Sequence, residues 1–93
     1  MEQEEYVKKL YEVFEGFQVE INPQPVCPEF YLVSKFDTGV IAEQLAFRMG
    51  PEVEYTVDGN EIHCMESGNR LCSISLFETP QEMRAYNQFR QRI

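Results

Sequence analysis

Three residues of this chain, Glu54, His63 and Ser73, are of the types that do acid–base and nucleophilic chemistry together. A carboxylate that orients an imidazole, which in turn takes a proton from a hydroxyl, is the working unit of many hydrolases. Three cysteines, Cys27, Cys64 and Cys72, add thiols that could bind metal or pair. Whether any of these groups meet depends on the elements that carry them.

Glu54, His63 and Ser73 all fall within Glu52 to Phe77, the most strongly patterned stretch of the sequence. Val53, Tyr55 and Val57 alternate with Glu52, Glu54 and Thr56, the period-two pattern of a strand with one wet face. Asp58-Gly59 is a hairpin dipeptide, and as a two-residue turn it sets Tyr55 opposite Ile62 and Val53 opposite Cys64. A three-residue loop, Ser67-Gly68-Asn69, sets Glu66 opposite Arg70, Cys64 opposite Cys72 and Ile62 opposite Ile74. One face of this three-strand meander then carries Val53, Tyr55, Val57, Ile62, Cys64, Cys72, Ile74 and Leu76. The other carries Glu52, Glu54, Thr56, Glu61, His63, Met65, Leu71, Ser73, Ser75 and Phe77. Side-chain alternation demands that the first face be covered.

These registers place Glu54, His63 and Ser73 in one transverse row on the wet face. A row on an open sheet supplies neither an oxyanion hole nor a cleft for substrate. Its side chains also stand parallel and about 5 Å apart, beyond the hydrogen-bond reach of a nucleophile and its base. The expectation is a polar face rather than a catalytic centre, and a protein that is not an enzyme. For the cysteines, the absence of a close CxxC pair, with His63 the one histidine, argues against a zinc site. Cys64 and Cys72 read as small buried thiols, although their cross-strand position makes a disulfide geometrically conceivable. No cofactor motif is present, so none is expected.

The remaining elements follow from periodicity and punctuation. Residues 3 to 16 read as a helix with Tyr6, Val7, Leu10, Val13, Phe14 and then Phe17 on one face, and Glu4 and Glu5 four residues before Lys8 and Lys9. Gly16 stops it. Phe17, Val19 and Ile21 alternate as a short strand, and Asn22 to Pro28, with three prolines, is a loop. Phe30 to Phe36 reads as a strand apolar on both sides, hence central. A second helix runs from a cap at Asp37 or Thr38 to about Met49, ended by Gly50-Pro51. Its Ile41-Ala42-Glu43-Gln44-Leu45 resembles the first half of a helix-turn-helix, but a strand follows where a recognition helix should, which excludes that reading. Thr79, Pro80 and Glu82 form the sharpest helix start in the chain, and Met83, Tyr86, Phe89 and Ile93 share one side of the helix that follows. The order helix, strand, strand, helix, three strands, helix predicts an α+β fold: a mainly antiparallel sheet of about five strands, with helices packed on one face. At 93 residues the chain is expected to form one domain.

Charge is unevenly distributed. Residues 1 to 78 hold fifteen acids and five bases, whereas residues 79 to 93 hold one acid and three arginines, and the total is −8. Such acidity repels nucleic acid and anionic membranes and attracts basic protein surfaces. No apolar run approaches the roughly 20 residues that span a bilayer, and the acidic N-terminus does not resemble a signal peptide, so a cytoplasmic location is expected. On the wet sheet face, Met65, Leu71 and Phe77 make a small apolar patch rimmed by glutamates, unless one helix crosses to this face and buries them.

The function expected from these features is that of a small acidic binding or inhibitor protein. Its partner-binding residues are Glu52, Glu54, Glu61, His63, Met65, Leu71 and Phe77, and its target is a basic protein surface, of the kind that binds nucleic acid. Inhibitors encoded by phages or mobile elements and immunity proteins share this general look, and the acidic face would act as a nucleic-acid mimic. The alternative is a homodimer or small-ligand-binding domain using the same sheet face.

Overall fold

A computed structural model describes residues 2–91 of the chain. The elements, in order, are α1 (Gln3–Val13), β1 (Gln18–Asn22), β2 (Glu29–Val33), α2 (Thr38–Met49), β3 (Glu54–Asp58), β4 (Glu61–Glu66), β5 (Asn69–Phe77) and α3 (Pro80–Gln91). The α+β class and the element order are those read from the sequence. Ile93, assigned there to the apolar side of the last helix, lies outside the described residues.

The five strands form one sheet in the order β1-β2-β5-β4-β3. All neighbours are antiparallel except β2 and β5, which are parallel. The parallel pair follows from the connections: α2 runs back from the end of β2 to the far edge, and a three-strand meander returns to the centre with β5 pointing the same way as β2. The sheet is therefore mixed, though mostly antiparallel. β2 is central, as its two apolar sides require, with Phe30 and Leu32 buried on one face and Tyr31 on the other.

The inner face is covered by α1 and α2. Tyr6, Leu10 and Phe14 of the first helical segment and Ile41, Leu45 and Met49 of α2 pack with Phe30, Leu32, Ile62, Cys64, Cys72 and Ile74 of the sheet. Positive φ at Gly16 (92°) and Gly50 (87°) lets the chain leave each helix in a conformation that residues with a Cβ rarely adopt.

The third helix departs from the expected one-face packing. α3 crosses to the outer face, over β1, β2 and β5, because Tyr31, Val33 and Phe77 point outward there and need their own cover. Tyr86 of α3 packs against both Tyr31 and Phe77, with ring centroids 5.5 and 5.3 Å apart, and Met83 is fully buried. Thr79 caps the helix by accepting the Glu82 N–H at 3.2 Å. Among the described residues no helix is long and apolar enough to cross a membrane.

Both meander turns differ from the sequence reading by a small slip. The first turn is Gly59-Asn60, with Gly59 at φ 61°, and it puts Tyr55 opposite Cys64 and Val57 opposite Ile62. A hairpin with glycine first needs positive φ at that position alone. The second is the two-residue turn Ser67-Gly68, both at positive φ, with Glu66 opposite Asn69. The residue released from the turn is absorbed as a bulge at Leu71, between the pairs Met65 with Arg70 and Cys64 with Cys72.

Candidate functional site

The outer sheet face is covered over only part of its width. β3 and β4, at the edge away from α3, present Glu54, Thr56 and Asp58 on one strand and Glu61, His63 and Met65 on the next. Glu54, Thr56 and Asp58 are exposed, and Glu61, His63 and Met65 are half-buried. Period-two alternation puts these six side chains on one face, with Tyr55, Ile62 and Cys64 turned into the core; Val57 shares their side of the sheet but, contrary to the sequence reading, is left 45% exposed. Glu52 is exposed immediately before β3. Three carboxylates thus share the open strands with one thioether and one imidazole.

The slip in the first hairpin dissolves the row of acid, imidazole and hydroxyl. Thr56, not Glu54, stands opposite His63, and Glu54 faces Met65. His63 still neighbours Ser73, and its Nδ1 lies 3.3 Å from Nη2 of Arg70. Beyond Ser73 the row continues to Glu29 and Asn22. Glu29 is the carboxylate nearest the hydroxyl by register, but it is committed elsewhere: it accepts from both Nε and Nη2 of Arg90, at 3.2 and 2.6 Å, and from the Tyr31 hydroxyl. Burial would raise the Glu29 carboxyl, but these donors outweigh it and hold it below its ordinary value. Tyr31 is pushed up to about 12 by burial and by that carboxylate. Glu29 is therefore an anchor for α3 rather than a base for Ser73.

The other residues expected on this face divide. Leu71 is corrected: the bulge turns it into the inner core, 7% exposed, and its carbonyl accepts from the side chain of Gln3 at 2.8 Å. A bulge sets two successive residues against one, so Leu71 and Cys72 both face inward and the alternation fails there. Phe77 does face outward, but it lies half-buried beneath Tyr86 and beside Tyr31. Of the apolar patch read from the sequence, Met65 remains at the open surface. Glu20 and Glu29, which sequence reasoning passed over, prove to hold α3: Glu20 accepts from Asn87 at 2.8 Å and lies 3.8 Å from Arg84. The signal was present in the charge asymmetry, a basic C-terminal helix in an otherwise acidic chain.

The cysteines sit in two environments. Cys64 and Cys72 face each other in the core, where the Tyr6 hydroxyl lies 2.7 Å from that of Tyr55. The hydrogen bond with Cys64, together with burial, holds the Cys72 thiol far above its ordinary range. Cys27, in the loop before β2, is half-buried, and burial raises it too, against the pull of Arg70. Among the described residues no three His, Cys, Asp or Glu side chains gather as a metal cluster.

Chemically, the open half-sheet can offer charge, a shallow polar surface and one soft apolar contact. Comparison of the chain with protein-family models, with curated proteins and with solved structures returned no match, so its function is argued from this geometry alone.

Proposed function

We propose that the protein is a non-enzymatic binding or inhibitor protein whose open half-sheet, over β3 and β4, receives a basic surface of a partner protein. The observation that supports this is internal. The chain's own basic helix, α3, is held on the covered half of the same face by arginine–glutamate contacts, Arg90 with Glu29 and Arg84 with Glu20. The open half offers Glu54, Asp58 and Glu61 in the same outward orientation, with Glu52 beside them. A basic helix or strand of a partner can use it as α3 uses the other half. Surfaces built to hold nucleic-acid phosphates are rich in Arg and Lys and accept carboxylates by the same charge-assisted bonds. Met65, paired with Glu54 at one end of the open ladder, supplies an adaptable apolar contact. The three free cysteines suit a reducing compartment such as the cytoplasm.

The test is a titration of the isotope-labelled protein with a short Arg- and Lys-rich peptide, followed by NMR. The expected result is shifts confined to β3 and β4, weakened by salt and abolished in Glu54→Lys/Asp58→Lys/Glu61→Lys. Shifts that ignore salt, or that survive the triple reversal, would rule the reading out.

A further inference from the structure

On the inner side of the sheet, α1 and α2 leave a groove of about 260 Å³ between them. Its floor is buried Phe14, Ile41 and Leu45, and its rim is Phe17, Phe36 and Val40, which are 39, 60 and 42% exposed. No carboxylate lines it, although the chain holds twice as many acids as bases. The same helix carries Phe47, which at 87% is the most exposed large apolar side chain among the described residues. Phe47 follows Val40 by seven residues. At 3.6 residues per turn the two lie within about 20° of each other around the helix axis, on one stripe.

A helix that bears a hole and a knob on one stripe is complementary to itself. We propose that the groove is filled by Phe47 of a second copy of this chain, in a two-fold dimer with the two α2 helices antiparallel. An axis crossing α2 between Glu43 and Gln44 brings each Phe47 onto the other copy's Val40 and to the mouth of its groove, and shelters Phe36 and Phe17.

Charge selects this surface over the acidic strands. Glu43 and Arg48 are the charged residues of α2 and cancel, whereas β3 and β4 carry Glu54, Asp58, Glu61 and Glu66. Two copies meeting through the acidic strands would repel each other, and two meeting through α2 would not. This interface is independent of the acidic half-sheet, which lies on the opposite side of the sheet and stays open in both copies.

Sedimentation of the full chain over a range of concentrations tests the proposal. The wild type is expected to reach twice its 11.0 kDa mass. Phe47→Glu should weaken dimerisation more than about thirtyfold, as loss of a buried aromatic anchor does. Its circular dichroism and melting temperature should be unchanged, because the ring contacts little within one chain. Val40→Glu should act the same way, and Glu54→Lys should leave the dimer intact. A wild type that stays monomeric at millimolar concentration would overturn the proposal, as would a dimer that persists in both Phe47→Glu and Val40→Glu. A monomer that instead takes octanoate into the groove, lost on Arg48→Glu, would assign the groove to a small anionic amphiphile and also overturn it.

Discussion

Arg90 grips Glu29 across 61 residues of chain, with Nε at 3.2 Å from one carboxylate oxygen and Nη2 at 2.6 Å from the other. This pair joins the last helix to the centre of the sheet, and with it the basic end of the chain to the acidic body. Glu29 is the more buried member, its side chain 17% exposed against 33% for Arg90.

Replacing Arg90 by Ala strips a mostly buried carboxylate of both its guanidinium donors and leaves it the Tyr31 hydroxyl. The expected loss is about 1–2 kcal/mol, discounted for the partial exposure of the guanidinium. Urea denaturation measures it. Arg84→Ala breaks a looser, more exposed contact to Glu20 at 3.8 Å and should change stability by less than about 0.5 kcal/mol. Equal losses in the two variants would contradict this ranking.

The same pair makes part of the stability depend on pH. The Glu29 carboxyl is lowered in the folded protein, so its contribution is complete above the unfolded-chain value of about 4.3 and drains away as pH falls through the lower folded value. The stability gap between wild type and Glu29→Gln should therefore be present at neutral pH and shrink on acidification below about pH 4. A constant gap would show that the ion pair is not its source. At the alkaline end, Tyr31 and Tyr55 are both pushed up to about 12 by burial. Stability should fall as pH rises from about 10 through that range, with tyrosinate absorbance appearing late.

Leu71 and Met65 separate the bulged meander from a regular one. A ladder without the bulge would put both side chains outside and make both substitutions mild. With Leu71 in the core, Leu71→Ala should cost about 2–4 kcal/mol, and Met65→Ala less than about 1 kcal/mol. Chemical denaturation of the two variants decides between the ladders.

Thiol labelling reads the burial of the cysteines. Cys27 should react first and slowly, because it is half-buried and its thiol is raised. Cys64 and Cys72 should react only as the protein unfolds, so that their rate rises with urea in step with the loss of structure. Rapid labelling of two thiols in native buffer would place the Cys64 and Cys72 pair outside the core.

Much of the architecture was legible in local pattern. The three helices, the five strands and, Leu71 excepted, the inner and outer faces of the meander follow from periodicity and from glycine, proline and capping residues. The first hairpin slipped, yet Tyr55, Ile62 and Cys64 stayed inward. A slip that exchanges Ile62 for Cys64 opposite Tyr55 moves the pairing by a whole side-chain period, so the faces survive while the partners change. The candidate site was less legible for the same reason. A polar row depends on partners, so Glu54 was read opposite His63 and proved to face Met65.

The sequence by itself determined the type and order of the elements, with α1 and β2 each ending three residues earlier than read, at Val13 and Val33, because backbone propensity and side-chain alternation act over a few neighbouring residues. Tertiary structure alone decided that β5 lies parallel to β2, that Leu71 leaves the ladder and that α3 crosses to the outer face. Each of those outcomes is set by contacts between distant parts of the chain: Arg90 with Glu29, Tyr86 with Tyr31 and Phe77, Gln3 with the carbonyl of Leu71. No local pattern encodes such a pair, since its energy exists only when both partners have been brought together. The open acidic half-sheet is what remains after α3 has chosen its place.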